Sequence, residues 1–462
     1  MTDNESLNHL SQAHAFAKEY LSIADEAQPF PSPAAVAALA GFDEPWAQSG
    51  AAAADVLTQL HQLGSPATVR NTGGRYYGLV MGGCLPVALA ANWLAGAWDQ
   101  CVAGWAMSPA GTFIEEVAAR WLLEALDLPR ESAVGFVTGS TMASFSAIAT
   151  ARSALLARAG WNLHSQGTRN APEIKIVASD QEHPAVRKSL TMLGIGQSEV
   201  RWIETDDQGS IIPEAVPHLD DKTILLLQAG NVNGGSLDPF HSVCHKAREA
   251  GAWVHVDGAF GLWARASKAR RHLARGVELA DSWAVDMHKW LNVPYDSAVY
   301  ICRHTSAPLG VFNTDTTYLV RERVREPNNL TPELSRRARG VEIWAALKFL
   351  GQSGLEDLIE RCCRHAKRFA EGLAAAGYEI LNDVVLNQVV AAYGDDEQMA
   401  RIISSIQGSG TCWLGPTHWK GRFAMRISVS SWATTDRDVE QSLRAMVDAT
   451  IQSEEVAFVL SA

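Results

Sequence analysis

Short apolar runs alternate with helix-length segments through the middle of the chain. The apolar runs, rich in β-branched residues, predict strands at 135–138, 174–178, 223–227, 252–256, 283–285 and 298–302. Between them we expect a helix over 141–158 capped by Ser140 or Thr141, a helix over 184–193, and a helix that Asp238-Pro239 opens and Gly251 closes. Apolar strands separated by helices of this length indicate a mostly parallel sheet covered on both faces, as in an α/β domain.

The two ends of the chain have different patterns. The first sixty residues are Ala-rich and helical, interrupted by Pro29, Pro31 and Pro33. The last hundred predict a compact α+β unit, with a helix at 355–376, strands at 378–381, 388–393 and 423–429, and helices beginning near 396 and 436. We therefore expect an N-terminal helical, dimer-forming segment (1–70), a large domain (71–310), a mobile connection without periodicity (311–340) and a small C-terminal domain (341–462).

Composition narrows the class of function. The 462 residues carry 39 Lys and Arg against 51 Asp and Glu, a net charge of −12, without any basic run. Such a chain lacks the electrostatic footprint of a protein that binds nucleic acid or a membrane surface. Its seven cysteines form no C-x-x-C pair, so we predict no disulfide scaffold and no metal site. No signal-peptide pattern opens the sequence, and we expect a cytoplasmic protein.

Two charged residues follow predicted strands. Asp257 lies in the sequence HVDGA, and Lys289 lies in DMHKW. The carboxyl ends of such strands border the crevice where open α/β sheets bind ligands. One interpretation is structural, in which Asp257 caps a helix and pairs with Lys289. The other is catalytic, in which Lys289 holds an aldehyde as a Schiff base and Asp257 pairs with a pyridinium nitrogen.

Two further motifs favour the catalytic interpretation. The turn TGST at 138–141 lies between a strand and a helix, where backbone N–H groups can receive a phosphate, although any capped helix supplies the same donors. His183 follows the next strand in the sequence SDQEH. An isolated histidine at such a place is usually a helix cap or a surface group, whereas in a pyridoxal site it would stack on the cofactor ring.

In their order and spacing, these motifs resemble the pyridoxal-phosphate-dependent group II decarboxylases, which include the glutamate, aromatic-amino-acid, histidine and diaminobutyrate decarboxylases. The resemblance extends from about residue 74 to residue 351, and the HKW block is its most specific part. It implies the fold of aspartate aminotransferase (fold type I), with a large α/β domain and a small C-terminal domain. It also implies pyridoxal 5'-phosphate as cofactor, an amino-acid substrate, and a homodimer with exchanged N-terminal segments.

Carried over residue by residue, the resemblance implies three catalytic residues. Lys289 would form the Schiff base, Asp257 would pair with the ring nitrogen and His183 would stack on the ring. It also implies that the cofactor is contacted by Ser140, Thr141, Met142, Ala259, His288 and either Asn231 or Asn233, of which we favour Asn233.

Two departures from the family pattern leave the reaction open. Aromatic-amino-acid decarboxylases carry a loop tyrosine that is thought to protonate the product, but residues 325–331 contain none, and the nearest is Tyr318. The proton would then come from His183, water or the partner subunit, or the enzyme would release an aldehyde. Asp286 replaces the asparagine of aromatic decarboxylases and matches carbon–carbon lyases. An anion beside a phosphate must be offset, either by His288 or by a helix end.

The leading hypothesis is an L-amino-acid decarboxylase. The alternatives are an aldehyde synthase or carbon–carbon lyase that uses the same lysine and, from another class, a non-catalytic relative that serves as a binding module. Aromatic residues suited either to an apolar substrate pocket or to a dimer core are Tyr76, Tyr77, Trp93, Trp98 and Trp105. Arginines able to receive a carboxylate are Arg336, Arg337, Arg339 and Arg426.

Overall fold

A seven-stranded sheet forms the centre of the molecule, whose computed structural model describes residues 3–24, 26–313 and 326–461. Its strands are β1 (Ala133–Val137), β2 (Lys175–Ser179), β3 (Val200–Ile203), β4 (Thr223–Gln228), β5 (Trp253–Asp257), β6 (Ser282–Asp286) and β7 (Ala298–Cys302). They are ordered β1-β7-β6-β5-β4-β2-β3, and only β7 runs antiparallel to its neighbours. The predicted mostly parallel sheet is confirmed, and each predicted strand lies within two residues of its observed position.

Helices connect and flank the strands. In chain order they are α1 (Asp3–Ser22), α2 (Pro33–Ala38), α3 (Ala53–Gln59), α4 (Pro86–Trp98), α5 (Pro109–Ala125), α6 (Ser140–Arg158), α7 (Leu163–Gln166), α8 (Pro184–Met192), α9 (Phe240–Glu249), α10 (Leu309–Phe312), α11 (Gly340–Ala375), α12 (Asp396–Gly408) and α13 (Asp436–Ser461). Within the described ranges, no helix combines the length and apolar character that a membrane crossing requires.

The sheet separates two apolar layers because successive side chains of a strand point to opposite faces. On β5, Val254 and Val256 join the core formed with α5, α9 and α11. Trp253 joins the other core, where α6 and α8 pack. His255 and Asp257 point to the same face of β5 as Trp253, so two polar side chains lie on this face near the carboxyl end of the strand.

The C-terminal part forms a second, antiparallel sheet. Its strands are β8 (Glu379–Ile380), β9 (Gln388–Ala392), β10 (Gly415–Trp419) and β11 (Arg422–Ser428), ordered β10-β11-β9-β8. The segment at 75–77 joins this unit to the rest, since the Tyr77 N–H donates to Trp413 O and the Ser428 N–H donates to Tyr77 O. Pro416 lies in the edge strand β10, where a missing N–H is tolerated.

Two predicted helix caps are wrong. The N-cap of α6 is Gly139, and Ser140 and Thr141 already belong to the first turn. Asp238 does not cap α9, because its carboxylate accepts the backbone N–H groups of Ile211 (2.9 Å) and Gln228 (2.7 Å). Contacts with distant parts of the chain fix both positions, since the Ser140 N–H donates to Asp286 and Asp238 accepts from residues 211 and 228. These contacts outweigh the local capping preference.

The predicted connection over 311–340 is only partly described. Residues 314–325, including Tyr318, lie outside the described ranges. After them, 327–329 form one turn of 3-10 helix, and α11 begins at Gly340, earlier than the predicted 355. The helix is interrupted at Gly351, where φ is 59° and ψ −173°, and only its second part was predicted.

A buried ion pair ties the segment before α11 to α5. Arg336 Nη2 lies 2.7 Å from Glu115 Oε2, both side chains are 1% exposed, and Arg336 Nη1 donates to Phe136 O. Arg337 and Arg339 pair with Glu342 and Asp296. Three of the four candidate carboxylate-binding arginines are therefore already occupied by acidic side chains.

We predict that Arg336→Met lowers the free energy of unfolding by about 3–5 kcal/mol, because Glu115 is left buried without its partner. Adding Glu115→Leu should recover much of that loss. Chemical denaturation measures both effects, and Arg368→Met, in the exposed pair with Glu440, is the control that should cost about 1 kcal/mol or less. A double variant as unstable as the single one would contradict this account.

Candidate active site

Polar side chains follow four neighbouring strands at their carboxyl ends. Asp286 ends β6, Asp257 ends β5, Gln228 ends β4, and Glu182 and His183 follow β2. Because these strands are parallel and adjacent, their carboxyl ends meet at one edge of the sheet. This edge is the usual ligand-binding side of an open α/β sheet.

Lys289 pairs with Asp286. Its Nζ lies 3.0 Å from Asp286 Oδ2, while Asp286 Oδ1 accepts the Ser140 N–H at 2.6 Å and lies 3.7 Å from His288 Nε2. Burial by itself would raise the pKa of Asp286, but Lys289, His288 and Ser140 hold it below its ordinary value. The expected offset of this anion therefore comes from the lysine, the histidine and the helix end together.

Asp257 and His183 form the second part of the site. Asp257 is 6% exposed, and its Oδ1 accepts the Ala259 N–H at 3.0 Å. Burial raises its pKa, which the nearby His183 and Lys289 oppose. The structural interpretation of the sequence is wrong on one point, because the described ion-pair partner of Lys289 is Asp286.

His183 is both a helix cap and a member of the site. Its Nδ1 accepts the Ala185 N–H at 3.1 Å at the start of α8, which places the proton of the neutral ring on Nε2. Burial lowers its pKa, with Asp257 acting in the opposite direction. The imidazole is therefore neutral near pH 7, and its position is fixed by the cap.

The predicted phosphate turn lies at the N-terminus of α6. The first intrahelical hydrogen bond runs from Ala143 N to Gly139 O, so the N–H groups of Thr141 and Met142 precede the helical ladder. The Ser140 N–H is already used by Asp286. The space around Gly139 is not crowded, since a Cβ at this position would make only an ordinary van der Waals contact, 3.7 Å from His288 Cε1.

Asn292 fixes the backbone around Lys289, and sequence reasoning missed it. This residue is fully buried with a φ of 56°, and its Nδ2 donates to the carbonyls of Lys289, Trp290 and Ser430. Its Oδ1 accepts the N–H groups of Gly83 (2.8 Å) and Trp432 (2.9 Å). One amide thus joins the lysine loop to the backbone at Gly83 and to the 430–432 segment that follows β11.

The 76–83 segment passes close to the lysine. A Cβ at Gly82 would lie 1.8 Å from Lys289 O, so only glycine permits this approach. Tyr76 stacks on Trp413 with ring centroids 4.9 Å apart, and Tyr295 stacks on His288 at 4.3 Å. Aromatic rings therefore lie on the side of the site toward the C-terminal domain.

Arg426, on β11, reaches back to the large domain. Its Nη1 donates to Val232 O at 3.0 Å and to Asn233 Oδ1 at 3.4 Å, and burial lowers its pKa. Asn233 Oδ1 also accepts the Thr417 hydroxyl at 2.7 Å. Asn233 thus faces Arg426, while Asn231 uses its Oδ1 to hold the turn at 233–234.

Three buried polar side chains at this edge have atoms without a hydrogen-bond partner in the described part of the chain. The side chains are Glu182, with both carboxylate oxygens, Gln228, with Nε2, and Asn231, with Nδ2. Sequence reasoning missed Glu182 and Gln228, although each directly adjoins a predicted element or site residue. Unpaired buried donors are expected where a bound group supplies the acceptor.

An α/β sheet with a lysine, a carboxylate and an imidazole at its carboxyl edge, next to a helix N-terminus, defines the class of pyridoxal-phosphate enzymes of fold type I. The model of the pyridoxal-dependent decarboxylase conserved domain matches residues 44–393. The chain belongs to this family. It is a pyridoxal-phosphate-dependent carboxy-lyase acting on an amino acid, and the sequence-based predictions of family, fold, cofactor and reaction class are confirmed.

Individual relatives agree with this assignment. An aromatic-L-amino-acid decarboxylase from Bacillus atrophaeus is 25% identical over 395 residues, covering 80% of this chain and 79% of that protein. A phenylacetaldehyde synthase from a Rosa hybrid cultivar is 25% identical over 383 residues, covering 74% of each chain. The crystal structure of Oryza sativa TDC with PLP and tryptamine superposes with a TM-score of 0.89 at 21% identity, covering 98% of this chain and 99% of that chain.

The residues present fit the cofactor. The set contains an amine for the aldehyde, a buried carboxylate for the ring nitrogen, a neutral imidazole, and first-turn N–H groups for the phosphate. The unpaired Gln228 and Asn231 amides add donors for a polar ring substituent.

We predict that Asp286→Asn strengthens binding of pyridoxal 5'-phosphate to the apoenzyme by about tenfold. The variant keeps an oxygen for the Ser140 N–H but removes a negative charge from the helix N-terminus, worth roughly 1–2 kcal/mol. Fluorescence titration measures the affinity.

Pyridoxal, which lacks the phosphate, is the control ligand. Its affinity should change less between wild type and Asp286→Asn than the affinity of pyridoxal 5'-phosphate does. Equal or weaker binding of the phosphorylated cofactor by the variant would contradict the idea that Asp286 competes with the phosphate for this helix end.

Proposed function

We propose that this enzyme converts an L-amino acid to its amine, with Lys289, Asp257 and His183 as the catalytic residues. The observation that carries the proposal is the convergence of these side chains at the carboxyl ends of the parallel strands β6, β5 and β2, at one edge of the sheet, with Lys289 close enough to Asp257 to oppose the rise in its pKa that burial causes. A non-catalytic relative has no physical reason to keep a part-buried lysine and two buried carboxylates together.

When bound, the cofactor supplies an aldehyde that takes up an amine and a ring that accepts the electrons of the breaking bond to the carboxylate. Lys289 provides the amine that holds this aldehyde. Asp257 would keep a negative charge for the ring nitrogen, and His183, fixed by the α8 cap, would stack on the ring. The N–H groups of Thr141 and Met142 would hold the phosphate, and Ser140, Ala259 and His288 would complete the surroundings.

Arg426 is proposed to hold the substrate carboxylate. Among the described ion pairs it has no acidic partner, and its hydrogen bonds to Val232 and Asn233 leave guanidinium N–H groups for a carboxylate. Asn233 then acts on the substrate side by orienting Arg426. The rings of Tyr76, Trp413 and Tyr295 favour an apolar or aromatic substrate side chain.

The second candidate is an aldehyde synthase. The described residues 326–331 contain no tyrosine, and one relative is named as a phenylacetaldehyde synthase. Incubation with a panel of L-amino acids, with carbon dioxide, amine, hydrogen peroxide and aldehyde assayed together, separates the two. Amine equal to carbon dioxide supports the decarboxylase, and aldehyde with peroxide supports the synthase.

We also propose a cytoplasmic homodimer. Large apolar side chains on α4 and α5 remain exposed, namely Trp93 (43%), Leu94 (55%), Trp98 (44%) and Phe113 (50%). A patch of this kind favours burial against a second copy. All seven cysteines are free, in keeping with a reducing compartment. Sedimentation of the holoenzyme as an active monomer would refute the dimer.

We predict that borohydride reduction with pyridoxal 5'-phosphate labels wild-type protein on Lys289 and leaves Lys289→Ala unlabelled, because this amine lies at the site. Peptide mapping by mass spectrometry identifies the labelled residue. The matched control is Lys268→Ala, an exposed lysine paired with Glu356, which should label as wild type does. Label recovered on another lysine would remove the basis of the assignment.

We predict that Asp257→Asn lowers kcat by at least about a hundredfold, the scale for losing one preorganised charge at a reacting centre. The amide keeps the shape and can still accept the Ala259 N–H, so the protein should fold. Steady-state kinetics and thermal unfolding, measured together, separate the two effects. Near-normal turnover would mean that Asp257 is only a structural acceptor.

A further inference from the structure

Glu182 is a buried carboxyl group in the site that the reaction does not use. Its side chain is 4% exposed, and neither carboxylate oxygen has a hydrogen-bond partner in the described part of the chain. Its backbone is held, since the Glu182 N–H donates to Ser179 O and its carbonyl accepts from Arg187 Nε. An ionised carboxylate in this position would have little to replace its lost hydration.

The charges that face Glu182 are mostly negative. Asp257 at the end of β5 and Asp238 before α9 both raise its pKa, in addition to the larger effect of burial, which puts it well above the ordinary value. The backbone N–H of His183, at the N-cap of α8, and the Arg187 guanidinium on α8 act in the opposite direction. The Arg187 guanidinium, however, donates to Asp180 O and lies 4.0 Å from the centroid of the Trp202 ring.

Asp257 has better partners for a negative charge. Burial raises the pKa of Asp257 as well, but His183 and Lys289 act against that rise, and the Ala259 N–H donates to its Oδ1. Gln228, paired in register with Asp257 on the strand between β2 and β5, has an unpaired Nε2 at the same edge. Where two buried carboxyl groups face each other, each raises the pKa of the other, and the group with more opposite charges and hydrogen-bond donors around it keeps the negative charge.

We propose that Glu182 is a positioning residue that stays protonated in the folded enzyme, so that the negative charge at this edge rests on Asp257. The proposal depends on the role of Asp257 in the proposed function. It explains why a carboxyl group can lie beside His183 without an ion-pair partner. Ionisation of Glu182 would place a second negative charge next to the ring-nitrogen partner and disturb the charge balance of the site.

The first test is thermal unfolding of the apoenzyme between about pH 6 and about pH 9. Above the ordinary pKa of glutamate, unfolded Glu182 has lost its proton, while folded Glu182, whose pKa is raised by burial, keeps it until its own pKa is reached, so stability falls as pH rises between the two. Glu182→Gln removes this term. The ratio of folding equilibrium constants, variant over wild type, should therefore increase by up to about tenfold per pH unit until folded Glu182 ionises.

Glu204→Gln is the matched control, since it makes the same change on an exposed carboxylate after β3. Its stability relative to wild type should not vary with pH. A difference between Glu182→Gln and wild type that is constant across the window would overturn the proposal.

A second test uses wild-type protein, so it does not depend on the variant folding. Infrared spectroscopy of the apoenzyme near neutral pH should show a protonated carboxylic acid band that loses the Glu182 contribution in Glu182→Gln, while Asp238, whose pKa burial raises to about 7, contributes to it in both proteins. If wild type shows no such band, Glu182 is ionised and the proposal fails. Carboxyl-selective ¹³C labelling of glutamate distinguishes this band from that of a protonated aspartate.

The third test measures pyridoxal 5'-phosphate affinity against pH. Wild type should lose affinity at alkaline pH before Glu182→Gln does, and parallel curves would contradict the link to Asp257. Failure of the proposed function is seen separately, as borohydride label on a lysine other than Lys289. That result would leave the infrared and unfolding measurements unaffected.

Discussion

The charge balance around one part-buried amine organises this molecule. Lys289 lies against Asp286 and is coupled to Asp257, two carboxylates at the ends of adjacent strands. None of these groups is stable alone in the interior, because an isolated buried charge is costly. The parallel order of β6, β5, β4 and β2 brings them to one edge, and the N-terminus of α6 supplies the remaining compensation through the Ser140 N–H.

Much of the fold could be predicted from the sequence because central strands of a parallel sheet are apolar on both faces and bounded by turns. The local pattern of residues could not show the order of the strands in the sheet or the direction in which each strand runs. Strand β7 is as apolar as its neighbours but runs antiparallel to them. Two helices were also missed, in whole or in part. Helix α4 is apolar nearly all round, so it lacks the polar face that marks a surface helix, and only the part of α11 after the break at Gly351 was predicted.

The candidate site, like the fold, could be predicted from the sequence only in part. Asp257, Lys289 and His183 were found because they follow strands within specific motifs. Asp286, the ion partner of Lys289, lies only three residues before it in the chain, so this pair was open to a local interpretation, but the lysine was assigned to Asp257 instead. Arg336 and Glu115 are 221 residues apart in sequence, and nothing near either predicts their ion pair. The occupation of the Ser140 N–H by Asp286 likewise arises only from tertiary contact.

Asn292 carries a mechanical consequence. A single amide joins the carbonyl of Lys289, the N–H of Gly83 and the 430–432 segment of the C-terminal domain. The C-terminal domain therefore cannot rotate about this point without either breaking these bonds or displacing the lysine backbone. Any opening movement must hinge elsewhere, so that the Lys289 backbone, Gly83 and the 430–432 segment move together.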